Sequence, residues 1–198
     1  RTEPDDLDFL AHLHLAAFDA TGELATWQAI PAEPGGKKLN APNDLCFDST
    51  GRIYFTDPRY GDRSDMELVD EKGKPVEGVY RIDLDGKVTQ VIAHEVDRPN
   101  GIAISGDGKH LFVADNVNSG PKNGVGGNRK LWRFDLNADG SVRNESRRLL
   151  FDWGTERGPD GIEIGPDGNV YAAAGFNFPN LPVETAEKHK AGIYVIAP

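Results

Sequence analysis

The 198 residues carry 32 acidic against 22 basic side chains, a formal net charge of −10 with the basic residues scattered, which speaks against a nucleic-acid partner. A single cysteine, Cys46, excludes a disulfide framework and a cysteine zinc cluster, and no apolar run approaches the roughly 20 residues of a membrane helix. With 38% apolar residues and a mean hydropathy of −0.51, the composition suits a soluble chain with a core, and 23 glycines and 13 prolines imply many turns and short strands.

The chain opens at Arg1 and its only methionine is Met66, so the natural start is expected upstream. Pro4-Asp5-Asp6-Leu7-Asp8 is acidic where a signal peptide would be basic, and the compartment stays open between cytoplasm and periplasm or secretion. Residues 14–18, followed by Thr21-Gly22, predict a first hairpin, the outer strands of an earlier sheet within residues 1–38.

A repeat then begins. Pro42-Asn43-Asp44-Leu45-Cys46-Phe47 alternates like a strand, turns at Thr50-Gly51 and continues into residues 53–57. Residues 79–83 turn at Asp85-Gly86 into residues 88–91. The unit recurs as Pro99-Asn100-Gly101-Ile102-Ala103-Ile104, with its turn at Asp107-Gly108 and residues 111–115 as the return strand. Residues 131–135 turn at Asp139-Gly140 towards Leu149-Leu150-Phe151. A third copy runs from Pro159-Asp160-Gly161-Ile162 through Asp167-Gly168 to residues 170–174, and residues 193–196 open a further hairpin. The period is roughly 58 residues. Helix is expected only over residues 183–190.

Two hairpins per repeat make a four-stranded antiparallel sheet, and such sheets in series make a β-propeller. The predicted fold is therefore all-β, a partial propeller of about three and a half blades over residues 1–198 as a single domain. Closed propellers typically need 4–8 blades, so the chain is expected to be part of a larger one.

With the first strand of each blade innermost, Asn43, Asn100 and Asp160 open three successive inner strands beside a common axis. The long insertions at residues 58–78, 116–130 and 175–192 all join the second and third strands of a blade and share the same mouth. Two carboxamide oxygens and one carboxylate are hard donors suited to Ca²⁺. The alternative is that these residues close Asx turns after proline, as Asn and Asp often do. Tyr60, which follows Pro58-Arg59 at a strand exit on that face, is a candidate substrate contact.

Taken together, Leu39-Asn40-Ala41-Pro42-Asn43-Asp44, Phe55-Thr56-Asp57-Pro58-Arg59-Tyr60-Gly61, Gly78-Val79-Tyr80-Arg81-Ile82, Arg98-Pro99-Asn100-Gly101-Ile102-Ala103 and Arg157-Gly158-Pro159-Asp160-Gly161 resemble the gluconolactonase and senescence marker protein (regucalcin) family of six-bladed propellers. The resemblance implies one divalent metal, commonly Ca²⁺ with Zn²⁺, Mg²⁺ or Mn²⁺ as alternatives, and hydrolysis of a small-molecule lactone such as that of a sugar acid. It makes Asn100 and Asp160 metal ligands, Asn43 a ligand or substrate contact, and Asp160 the candidate general base. The family's first-blade Glu-Gly-Pro ligand motif has no counterpart here, since Glu3-Pro4 lacks the glycine. A reading from another class is a non-catalytic propeller whose mouth loops bind a carbohydrate or a protein.

Other signals carry less. Asp135-Leu136-Asn137-Ala138-Asp139-Gly140 begins like a calcium loop but has Ser146 where a bidentate glutamate is needed, so a hairpin turn is expected. His12 and His14 alternate on one strand face and read as structural or surface residues. Gly124-Val125-Gly126-Gly127 reads as a surface loop, Cys46 as a packed thiol, and Trp132, Trp153 and Tyr171 as filling between blades.

Overall fold

The computed structural model describes residues 12–18, 24–31, 34–118 and 127–198, with side chains from residue 34 onward. The described strands form four antiparallel sheets. The first pairs β1 (His12–Phe18) with β2 (Leu24–Pro31). The second runs in sheet order β3 (Leu45–Phe47), β4 (Ile53–Asp57), β5 (Gly78–Ile82), β6 (Val88–Ile92). The third repeats that order with β7 (Pro99–Ile104), β8 (His110–Asn116), β9 (Arg129–Leu136) and β10 (Val142–Asp152). The fourth holds β11 (Ile162–Ile164), β12 (Val170–Ala174) and β13 (Gly192–Ile196).

Period-two alternation builds the cores. On β4, Ile53 and Phe55 face a cluster with Leu39, Tyr80 and Ile82, whereas Tyr54 between them faces the next sheet and meets Ile102, Leu111 and Val113. On β8 the pattern repeats: Leu111 and Val113 look back to that cluster, while Phe112 and Ala114 join Leu131, Trp153, Ile162 and Val170. The middle strands are thus buried on both faces, each large apolar side chain contributing about 1.5–3 kcal/mol. The first strands of the last three sheets, β3, β7 and β11, lie side by side. Antiparallel sheets, two of them with all four strands described, stacked with their first strands adjacent make the fold a partial β-propeller.

The hairpin loops combine a turn with a left-handed glycine. At residues 165–169 the Gly168 amide donates to the Gly165 carbonyl at 2.9 Å, Gly165 returns a bond to Asn169, and Gly168 sits at φ 79°. That conformation is open to glycine at no steric cost. The calcium-like run 135–140 is such a hairpin turn, with Asp139 accepting from the Ser141 amide at 2.9 Å.

Two expectations are corrected. Residues 183–190 are not helical; among the described residues the helical geometry is a short 3-10 turn at Pro34–Gly36. The amides of that segment are drawn to tertiary partners instead: Thr185 donates to the Thr155 carbonyl, and Lys188 and His189 donate to the Glu156 carboxylate. Trp132 and Trp153 fill inter-sheet cores, but Tyr171 bonds Asp167 of its own hairpin at 3.0 Å. Cys46 packs against the second core, and burial pushes its thiol up to about 12.

Candidate functional site

The three inner strands are tied together at their starts. Within the second sheet, Asn43 donates its backbone N–H to the Thr56 carbonyl, and Thr56 returns one to Asp44, both at 2.9 Å. The Thr56 hydroxyl then crosses to the next sheet, donating to the Asn100 carbonyl at 2.7 Å, and the Ile102 amide comes back to the Asp44 carboxylate at 3.0 Å. From the third sheet to the fourth, Gly101 donates to the Asp160 carbonyl at 2.9 Å. Asn43, Asn100 and Asp160 are therefore the opening residues of a cross-linked inner edge.

Their side chains behave differently from those of the turn aspartates. Asp48, Asp107, Asp139 and Asp167 each accept the N–H two residues on, at 2.9–3.1 Å, as an Asx turn requires. No such bond engages Asn43, Asn100 or Asp160 among the described residues. Asn43 and Asp160 are exposed, while Asn100 is only 6% exposed. Its Nδ2 donates to the Tyr60 hydroxyl at 2.7 Å, and that hydroxyl donates onward to the Asn116 carbonyl at 3.3 Å.

Tyr60, expected as a substrate contact, thus has its hydroxyl engaged within the protein. Burial pushes the phenol up to about 12, against the opposing pull of the Asn100 bond and the Arg98 charge. The Arg98 guanidinium lies 5.2 Å from the ring centroid and is held by Glu77 at 2.9 Å. Both ends of that ion pair are buried.

Two aspartates outside the sequence-level candidates shape the approach to the inner edge. Asp57, at the end of β4, accepts the amides of Asn40 and Ala41 at 2.9 and 2.8 Å. Asp115, at the end of β8, accepts those of Asp97 and Arg98 at 3.1 and 3.0 Å. Each pins the segment leading to Asn43 or Asn100. Their shared phase in the repeat was the available signal; the third copy has Ala174 there, and the Arg157–Glu184 pair at 2.7 Å ties that corner instead. Burial pushes Asp57 up to about 7, although both amide bonds pull the other way.

Among the described residues no three His, Cys, Asp or Glu side chains gather at metal-binding distance, and the candidate set draws two of its three members from asparagine. His94 and His110 pair with Asp70 and Asp135. The side chains of His12 and His14, the Glu3-Pro4 segment and residues 124–126 lie outside the described residues. No helix of the described chain is long and apolar enough to cross a membrane.

Comparison with known proteins matches residues 8–177 to the family described as the SMP-30/Gluconolactonase/LRE-like region. The chain belongs to this family. Over 168 residues, 82% of the chain and 40% of the relative, it is 32% identical to a gluconolactonase of Zymomonas mobilis subsp. mobilis. A lactonase drp35 of Staphylococcus epidermidis is 30% identical over 132 residues, 66% of the chain and 34% of that protein. A solved gluconolactonase structure from Xanthomonas campestris superposes with a TM-score of 0.59 at 25% identity, covering 91% of this chain and 54% of that one. The chain therefore spans well under two thirds of the length of these SMP-30/gluconolactonase relatives.

Proposed function

We propose that the inner edge shared by β3, β7 and β11 is a site of metal-assisted lactone hydrolysis, with Asn43, Asn100 and Asp160 holding one divalent cation, Ca²⁺ in the first instance. The observation that carries this reading is that these three residues open successive cross-linked inner strands with side-chain oxygens free of Asx turns, while other aspartates of the chain use theirs to close turns. Two carboxamides and a carboxylate are the hard donor set that Ca²⁺ takes. The substrate class rests on the relatives, which are named gluconolactonase and lactonase.

A cation bound there would supply Lewis-acid polarisation of the lactone carbonyl. Asp160 is exposed, and a carboxylate oxygen not engaged in ligation takes a proton from the attacking water. Water adds to the carbonyl carbon, the ring C–O bond breaks, and the proton passes to the departing ring oxygen, giving the open hydroxy acid. Asn43, exposed at the same mouth, contacts substrate as well as the cation. Tyr60, its hydroxyl engaged by Asn100 and Asn116, meets substrate through its ring alone.

Acid release from δ-gluconolactone in a pH-stat tests the reading. Turnover that EDTA abolishes and Ca²⁺ restores is expected, with a loss of at least about 100-fold in Asp160→Asn. Chelator-insensitive turnover, or turnover retained in Asp160→Asn, overturns it.

A further inference from the structure

Asn100 differs from its two companions in being buried, and a buried carboxamide must have its two ends sorted. Oxygen and nitrogen occupy nearly the same volume, so packing alone does not decide which faces the common axis. In this chain the decision lies with one phenol. Asn100 Nδ2 donates to the Tyr60 hydroxyl at 2.7 Å, and the same hydroxyl donates to the Asn116 carbonyl at 3.3 Å. Because its proton is directed at a carbonyl, the phenol oxygen turns its lone pairs to Asn100 and selects the NH₂ end. Among the described residues no donor engages Asn100 Oδ1, which is left as the outward end of the amide.

The phenol is itself held. Arg98 packs 5.2 Å from its ring centroid, and Glu77 fixes that guanidinium through Nε at 2.9 Å and Nη2 at 3.4 Å. Glu77 also accepts the Arg59 amide at 2.6 Å, which anchors the chain immediately before Tyr60. The order Glu77, Arg98, Tyr60, Asn100 is a supported line of contacts ending on one carboxamide.

We infer that Tyr60 is a positioning residue that fixes the Asn100 carboxamide with its oxygen presented as a ligand. The ligand role of Asn100 rests on the function proposed above; the orientation of its amide does not. Groups that orient metal ligands in this way typically govern affinity by 10–100-fold.

Tyr60→Phe removes the hydroxyl and keeps the ring that packs on Arg98. Two measurements on the 198-residue chain are decisive. In the metal-free chain, the side-chain amide of Asn100, identified by its loss in Asn100→Ala, gives slowly exchanging NMR signals that turn fast-exchanging in Tyr60→Phe. Terbium luminescence titration gives binding about 10–100-fold weaker in Tyr60→Phe than in the parent chain, at a temperature where the melting curve shows both chains fully folded. Equal amide protection in both chains overturns the positioning role, as does equal terbium affinity in both when the parent binds. Absent terbium binding by the parent, or undiminished binding by Asn100→Ala, overturns the metal reading alone, and the amide exchange still decides the role of Tyr60.

Discussion

Gly101 donates its amide to the Asp160 carbonyl at 2.9 Å, and a Cβ on Gly101 would fall 2.4 Å from that same oxygen. The obstacle is backbone on every side, with Ile162 N at 2.8 Å and Gly161 C at 3.1 Å. Only a residue without a side chain lets β7 and β11 approach this closely. Gly101→Ala is therefore expected to push the inner strands apart and cost about 1–3 kcal/mol or more. Gly161, one residue beyond Asp160, has nothing within 4 Å of its Cβ position. Gly161→Ala should melt like the parent chain. Urea denaturation of the two variants checks the contrast, and equal stabilities would remove the steric argument.

The Glu77–Arg98 pair is buried at both ends, and Glu77 also receives Arg63 and the Arg59 amide. Glu77→Gln takes a counter-charge away from a buried guanidinium and should lower the melting temperature, a loss of up to about 3–5 kcal/mol of stability in comparable pairs. The exposed Arg59–Asp65 pair at 2.7 Å is the control: Asp65→Asn should leave the melting temperature where it was. A Glu77→Gln chain as stable as the parent would show that the pair contributes nothing net.

Much of this architecture is legible in the sequence. The alternation through Leu45-Cys46-Phe47 marks β3 because strands have a period of two, whereas Ile53-Tyr54-Phe55 and Leu111-Phe112-Val113 are apolar throughout and their division between two cores is a property of the packed sheets. The Pro-Asn and Pro-Asp phase located the inner edge, since equivalent positions of a repeat fall at equivalent places. Hidden from that reading were contacts between segments distant along the chain. Asp57 grips amides 16 and 17 residues back, announced only by the phase it shares with Asp115, and Arg98 meets a carboxylate 21 residues away with no pattern to announce it. The helix expected at residues 183–190 failed likewise, because Glu156 and Thr155 draw its amides from some 30 residues upstream.

If Asn43, Asn100 and Asp160 hold a cation, binding must stabilise the fold by mass action. Free Ca²⁺ at 100 times its dissociation constant adds about 2.7 kcal/mol, read as a rise in melting temperature that EDTA reverses. Asp160→Asn should abolish the rise and Asn43→Ala should shrink it. Asp107→Asn, which alters a carboxylate engaged in a turn, should leave it intact. A rise that survives Asp160→Asn would assign the stabilisation to cations bound elsewhere.

Asp57 makes a prediction about pH. Burial pushes its carboxyl up to about 7 in the folded chain, whereas an unfolded aspartate titrates near ~3.9. Between those values the folded state holds a proton that the unfolded state has released, so stability must fall as pH rises from about 4 to about 7 and level off above. At about 1.4 kcal/mol per unit, the decline attributable to this group is on the order of 4 kcal/mol. Asp115 is shifted upward for the same first cause, burial, and adds a slope of the same sign. Asp57→Asn does not titrate and should flatten part of the decline. At pH 5, where the parent's carboxyl is protonated, it should be about 1–3 kcal/mol less stable, because an amide can accept from only one of Asn40 and Ala41 through its oxygen, and that deficit should shrink or reverse by pH 8. Urea midpoints at pH 5 and pH 8 for both chains give the comparison. A difference of opposite sign would mean that the two backbone donors outweigh burial and hold Asp57 ionised throughout.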